Sequence, residues 1–244
     1  PILATMAYNL FGKADDKIMM PACAIEFIHN YSLAHDDLPA IDNDDYRRGK
    51  KTTHKMFGPA IATLAGDALL SMAFGLAAQT DAEPEMVVQI LKILSDATNT
   101  FGMLGGQVFD ILAEGEDVSQ EQLLEIHNKK TMKLIVAPLK IGAMMAGAEE
   151  KHQKRLCIYG EKIGLAFQIV DDILDIEGTQ EELGKDIGSD QEKEKATYPS
   201  VFGLERAKED AKLLIDEARA MVEPYGSKAE MFLLLADFVL NRKY

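Results

Sequence analysis

Tryptophan is absent, and aromatic residues together make up 7% of the 244 positions. Cys23 and Cys157 are the only cysteines, far apart and outside any CxxC spacing. That argues against a disulfide framework or a cysteine-built metal site and reads as two reduced thiols in a cytoplasmic protein. Basic residues are scarce: 26 Lys and Arg face 40 Asp and Glu, a formal charge of −14. Such a balance disfavours nucleic acid or an anionic membrane surface as partner. A small anionic substrate would require cations gathered locally. No run approaches the roughly 18 uncharged apolar residues of a membrane span, so no transmembrane segment is expected. The phosphate loops G-x-x-x-x-G-K-[ST] and G-x-G-x-x-G are missing, which leaves nucleotide folds unsupported. The opening "PILATMAYNLFG" has neither an initiator Met nor a basic leader and starts in a helical pattern. An N-terminal stretch is therefore expected to precede it.

What the chain does contain is helical periodicity and a 47% hydrophobic composition, ample for a core. "AIEFIHNYSLAHDD", "PAIATLAGDALLSMAFGLAAQ" and "PEMVVQILKILSDATNTFGMLGGQVFDILAEG" repeat apolar residues at three-to-four spacing. Ser119 and Gln122 predict a capping box opening a helix that runs to about residue 147, kinked near Pro138. A further helix ends at Gly178, and a polar loop over 179–197 separates it from two more, at about 199–223 and 227–241. Strand alternation and Asn-Gly hairpins are missing. The expectation is an all-α fold, with 1–244 as a single domain.

Against that apolar background, acid is concentrated twice. In "GLAFQIVDDILDIEG", Gln168, Asp171, Asp172 and Asp175 fall at i, i+3, i+4 and i+7, one helix face, and the neighbours are apolar. Burying three ionised carboxylates without partners costs several kcal/mol each. Protonation, pairing with Lys or Arg, or a divalent cation could relieve this. The stripe holds no basic residue, and hard oxygen ligands suit Mg²⁺, which keeps waters and takes one or two carboxylates plus substrate phosphates. The bland alternative is a solvated acidic face.

The other cluster is "LAHDDLPAIDNDDYRRGKKTTH", residues 33–54. Asp36 and Asp42 are about 240° apart on a straight helix, so they share no face. Pro39 ends the helix, which leaves Asp36 and Asp37 at its C-terminus, unfavourable for carboxylates unless a cation sits there, with Asp42 able to fold back. His29, Ser32 and Asp36 at i, i+3 and i+7 place His29 toward the same cavity. An EF-hand is ruled out, because position six from Asp42 is Arg47 and position twelve is Thr53. Arg47 and Arg48 follow this site, Lys185 and Lys195 follow the other, and Lys130 with Thr131 lies mid-helix in "HNKKTMKL". Acids that could hold metal, beside Arg and Lys, suit a diphosphate.

These residues together resemble the trans-isoprenyl diphosphate synthases, or polyprenyl synthetases. "DDLPAIDNDDYRRG" and "DDILD" match the family's two aspartate-rich motifs, and "LAGDALL", "GGQVFD", "AFQIVDDILD", "LGKDIGSD" and "KATYPSVFGLERA" match its linking segments. The resemblance covers essentially the whole chain and is closest in pattern to bacterial farnesyl diphosphate synthases. It implies the all-helical isoprenoid synthase fold, a homodimer, and a central cavity faced by both aspartate motifs. It implies head-to-tail condensation of isopentenyl diphosphate with dimethylallyl or geranyl diphosphate to give farnesyl diphosphate.

A cluster of about three Mg²⁺ ions is implied on Asp36, Asp42 and Asp171, supported by Asp37, Asp172, Asp175 and Asp110. Arg47, Lys130, Thr131, Gln168, Lys185 and Lys195 match positions around the allylic diphosphate; His29 and Arg48 match positions around isopentenyl diphosphate. One departure stands out: the family's basic stretch ahead of Pro1, which contributes a Lys and an Arg to isopentenyl diphosphate, has no counterpart in residues 1–244. Tyr31 and Ser32 match the floor that limits chain length, and five residues up a helix is about 7.5 Å. The alternatives are a geranylgeranyl diphosphate synthase, a non-catalytic partner subunit, a class I terpene cyclase and a metal-buffering protein. Cyclases typically lack the Arg pair and the later basic loop, and partner subunits tend to lose motif aspartates; none is lost here.

Overall fold

The computed structural model describes residues 1–13, 15–177 and 195–242. Apolar faces at helical spacing pack helix on helix, in the order α1 (Ile2–Leu10), α2 (Met19–Asp36), α3 (Thr53–Phe57), α4 (Pro59–Ala77), α5 (Pro84–Thr98) and α6 (Met103–Leu112). They continue as α7 (Gln120–His127), α8 (Lys133–Met145), α9 (Glu150–Glu177), α10 (Tyr198–Phe202), α11 (Leu204–Val222) and α12 (Glu230–Asn241). Three apolar clusters hold them. One joins α1, α2, α5 and α8 around Tyr8, Ile28, Tyr31 and Leu94. A second joins α1, α8, α9, α11 and α12 around Leu139, Tyr159 and Phe232. The third packs Leu123, Ile169 and Tyr198 beneath the C-terminal half of α9. Tyr159 meets Phe232 edge-on and donates to its carbonyl at 2.7 Å, so a buried hydroxyl is satisfied within the core.

Several boundaries differ from the sequence expectation. A two-stranded antiparallel ribbon is present, Tyr46–Arg47 with Lys50–Lys51. Its turn is Arg48-Gly49, both at positive φ (52° and 73°), the hairpin geometry usually marked by Asn-Gly. Arg48 carries a backbone cost of about 1–2 kcal/mol that glycine would not. The capping box of Ser119 and Gln122 is formed. Pro138, however, lies inside α8, and the irregularity comes one turn earlier, as a π-helical turn over Asn128–Met132. The region after 197 is divided into three helices, because Gly203 separates α10 from α11. One helix, Pro59–Ala77, is long and apolar enough by length and composition to cross a membrane, although only 22% of it is buried. Asp67 and several small residues interrupt its apolar run, which is why the sequence expectation does not include it.

The π turn carries Lys130 and Thr131, and α6 comes very close to it. A Cβ built on Gly106 would lie 2.2 Å from the backbone nitrogen of Lys130 and 2.6 Å from its Cα. Only glycine fits there without shifting the turn. Gly106→Ala is expected to lower the melting temperature and to move Lys130. Gly75→Ala, at an exposed helical position with nothing within 4 Å, should be neutral or slightly stabilising. Thermal melts of the two variants check this, and equal effects would contradict it.

Candidate active site

Helix α2 ends in a tight reversal: Ile41 and Asn43 donate backbone N–H groups to the Leu38 carbonyl (2.9 and 3.1 Å), and Asp42 donates to the Asp36 carbonyl at 2.8 Å. The reversal returns Asp42 to Asp36 although six residues separate them. Burial pushes the Asp36 carboxyl up; Lys130 opposes the rise and the charge of Asp42 adds to it. The Asp36 carboxyl therefore feels the charge of Asp42.

Protein ammonium groups answer that charge. Lys195 Nζ lies 2.7 Å from Asp42 Oδ1 and 3.9 Å from Asp110 Oδ2. Lys130 Nζ lies 2.5 Å from the same Asp110 oxygen. Burial works against the charge on Lys130, yet Asp110, Asp36 and Asp42 outweigh it and hold the ammonium above its ordinary range. Lys195 follows the same logic: burial and Lys130 disfavour its charge, while Asp42 and Asp110 restore it.

Arg47 and Asp37 form a separate, part-buried pair, with Nη2 and Nε at 2.6 and 2.7 Å from Asp37 Oδ1 and Asp44 at 3.5 Å. Asp37 is 4% exposed. A guanidinium, rather than a neighbouring carboxylate, is what this acid meets. Arg48 Nη2 stands 3.4 Å from His29 Nε2. Burial lowers the His29 pKa, and Arg48 and Arg47 lower it further against Glu26, so a neutral ring faces the guanidinium.

On α9 the acids part company. Asp171, with a side chain 35% exposed, accepts from Arg242 at 3.2 Å. Arg242 itself lies over the Phe167 ring and donates to the Phe167 carbonyl at 2.8 Å. Asp172 and Asp175 are each 4% exposed. Asp172 Oδ1 accepts from Gln168 Nε2 at 2.8 Å, and Oδ2 accepts from the Tyr198 backbone N–H at 2.7 Å. Thr131 donates to Gln168 Oε1 at 2.9 Å. His127 Nε2 sits 3.9 Å from Asp172, beyond hydrogen-bond reach. Burial therefore prevails and pushes the His127 pKa down to about 4, leaving the imidazole neutral.

The two acidic stretches are thus joined by one short segment: Lys195 reaches Asp42 and Tyr198 reaches Asp172. The chain from one to the other spans at most about 11 Å. Tyr31 is buried beneath the first stretch, edge-on to His35 at 5.6 Å, with no hydrogen-bond partner for its hydroxyl among the described residues. Ser32 donates instead to the His29 carbonyl at 2.8 Å. Lys185 lies outside the described residues.

Among the described residues no group of three or more acids or histidines converges on one point as a ready metal cage. The donor chemistry nevertheless fits magnesium, since Asp36 and Asp42 are hard oxygen donors that interact electrostatically and face ammonium groups on long side chains rather than fixed packing. Sequence reasoning missed Arg242, His127 and the Tyr198 N–H. His127 precedes Lys130 by one helical turn, a usable signal; a backbone donor and a residue 71 positions from its partner leave none.

Residues 1–230 match the family model described as Polyprenyl synthetase. The chain is 45% identical to a geranylgeranyl diphosphate synthase of Cyanophora paradoxa, covering 99% of this chain and 82% of that protein. It is 40% identical to the farnesyl diphosphate synthase of Bacillus subtilis, over 100% of this chain and 83% of that protein. Among solved structures, an FPP/GFPP synthase of Zymomonas mobilis superposes with a TM-score of 0.88 at 36% identity, covering 98% and 82% of the two chains. A polyprenyl synthase of Caulobacter crescentus, complexed with calcium and isoprenyl diphosphate, superposes at 0.91 and 29% identity, over 100% and 84%. The chain belongs to the polyprenyl synthetase family of prenyltransferases, with the all-α isoprenoid synthase fold.

Proposed function

We propose that this enzyme joins isopentenyl diphosphate head-to-tail to dimethylallyl and then geranyl diphosphate, giving farnesyl diphosphate. The observation that carries the reading is the charge arrangement at Asp36, Asp42 and Asp110, where Lys195 pairs with Asp42, Lys130 pairs with Asp110, and the charge of Lys130 also acts on Asp36. Magnesium alone would strand the two ammonium groups, and a diphosphate alone would strand the carboxylates. When both enter, carboxylates take the metal and the lysines take phosphoryl oxygens, so neither charge is left without a partner. Asp36, Asp42 and Asp171, with Asp110, would hold magnesium, whose bound charge favours departure of the diphosphate.

The chain's own residues carry the rest. Lys130 and Lys195 bind and orient the allylic diphosphate, with Arg47 behind them once it leaves Asp37. The allylic C–O bond then ionises, the isopentenyl double bond attacks the allylic carbon, and a proton leaves the adduct to the released diphosphate. His29 and Arg48 hold the isopentenyl diphosphate, the neutral ring keeping the guanidinium in place. Apolar packing around Tyr31, Ala73 and Met103 keeps water from the cation. A polyprenyl synthase of Caulobacter crescentus complexed with calcium and isoprenyl diphosphate supports a divalent cation and a prenyl diphosphate as the pair of ligands.

A homodimer in the cytoplasm completes the reading. Ile61, Leu64 and Met72, on one stripe of α4, are 53%, 62% and 55% exposed, and Val108 and Leu112 on α6 are 53% and 69% exposed. A second copy is the occupant this apolar face suits. Sedimentation should give twice the chain mass; a monomer would contradict it.

Product length rests on Tyr31. It lies five residues before Asp36 on the same helix, buried, with a hydroxyl that makes no hydrogen bond among the described residues. Incubation with labelled isopentenyl diphosphate, Mg²⁺ and geranyl diphosphate is expected to yield a C15 product. Tyr31→Phe keeps the ring and loses an unsatisfied group, so it should still give C15, whereas Tyr31→Ala should shift the product toward C20. A C20 product from the parent would favour the geranylgeranyl alternative, and no turnover would remove the enzyme reading.

A further inference from the structure

The second aspartate motif contains three carboxylates in very different surroundings. Asp171 has a side chain 35% exposed and a guanidinium partner at 3.2 Å. Asp172 is 4% exposed, and each of its oxygens already accepts a short hydrogen bond from the protein. Its partners form a line. Thr131 Oγ1 donates to Gln168 Oε1 at 2.9 Å, Gln168 Nε2 donates to Asp172 Oδ1 at 2.8 Å, and the Tyr198 N–H donates to Asp172 Oδ2 at 2.7 Å.

Both ends of the line adjoin lysines of the site. Thr131 follows Lys130 in the π turn, which Gly106 crowds from the other side. Tyr198 is three residues beyond Lys195 and is itself fixed: its ring stacks on Phe202 at 4.3 Å and on His127 at 6.4 Å, and its hydroxyl donates to Asp210 at 2.9 Å. The residue before it, Thr197, caps α10 by accepting from Ser200. The segment 195–198 is therefore anchored at Tyr198, and Lys195 extends from that anchor to Asp42.

We propose that Asp172 is a positioning residue and not a metal ligand. With Thr131 and Gln168 it forms a buried strut that fixes the spacing between Lys130 and Lys195, so that both ammonium groups meet the carboxylates of the first motif. What the strut requires of Asp172 is an acceptor for the Tyr198 N–H, not a negative charge. Asparagine meets that requirement: its Oδ1 accepts from Tyr198, and its amide faces Gln168, whose own amide turns over while the Thr131 hydroxyl switches to accepting. Alanine does not, and it leaves a buried N–H without a partner.

The inference rests on the diphosphate reading for its purpose but not for its test. The rate at which an amine-acetylating reagent modifies Lys195 and Lys130 is measured by peptide mass spectrometry on the whole protein without ligands. In the parent, Lys195 is slow, since its side chain is 12% exposed and ion-paired. Asp172→Ala is expected to raise that rate at least about tenfold, while Asp172→Asn stays within about threefold of the parent. If alanine proves unstable, Tyr198→Pro, which deletes the N–H donor at a first-turn position, is set against Tyr198→Ala, which keeps it. Both variants lose the ring and hydroxyl, so the proline variant should free Lys195 further than the alanine variant by the loss of the N–H alone. Unchanged labelling in Asp172→Ala, labelling in Asp172→Asn as fast as in alanine, or equal labelling in the two Tyr198 variants would overturn the proposal. Titration of Mg²⁺ with inorganic pyrophosphate separates the metal-ligand reading: half-saturating Mg²⁺ should be the same in Asp172→Asn as in the parent, and a rise as large as in alanine would make Asp172 a ligand. Failure of the parent to bind pyrophosphate would count against the prenyl-transfer reading, leaving the labelling result to decide the strut.

Discussion

The pairing of Lys130 and Lys195 with Asp110 and Asp42 is the interaction on which the rest of the site depends. Each partner is costly alone: a carboxylate facing the charge of another, or an ammonium group drawn into a low-dielectric setting. Together they are tolerable, and they form a charge reservoir that can be repartitioned. A chain with a formal charge of −14 would otherwise repel a diphosphate. On the proposed reading, concentrating its cations beside its acids would let the same surface accept a divalent metal and a multiply charged anion as one event.

The fold serves this pairing by bringing distant stretches together without long loops among the described residues. Helix α2 delivers Asp36, a tight reversal delivers Asp42, α6 delivers Asp110, and the π turn between α7 and α8 delivers Lys130. A regular helix through 128–132 would rotate α8 relative to Gly106, and the close approach of α6 leaves little room for that. Helix α9 contributes two kinds of acid: Asp171, partly open and held by Arg242, and Asp172, enclosed in a hydrogen-bonded line. Similar spacing in sequence thus conceals different duties.

Much of the helical architecture is legible in the spacing of apolar residues, because burial of one face is a local pattern that any helix must display. The Ser119 capping box is equally readable, since it is closed within four residues. The ribbon at 46–51 is not, because its turn uses Arg48-Gly49, and a positive-φ arginine has no marker in composition. The π turn is hidden for a related reason: Pro138 is the conspicuous residue, while the constraint comes from Gly106, more than twenty residues away from the turn. At the site, residue type and spacing point to the aspartates and lysines. They do not reveal that Asp37 faces Arg47 or that Asp171 faces Arg242, because those partners are chosen by tertiary packing. The exposed apolar stripe of α4 reads as core, since apolar composition alone does not tell an outward face from an inward one.

The central claim is that metal and diphosphate displace the internal ion pairs jointly. The most direct measurement is calorimetric titration of Mg²⁺ into the protein with and without a non-ionisable allylic diphosphate analogue. The account predicts weak Mg²⁺ binding alone and binding at least about tenfold tighter with the analogue present, with the same factor recovered when the order is reversed. Equal Mg²⁺ affinity in the two titrations would contradict it.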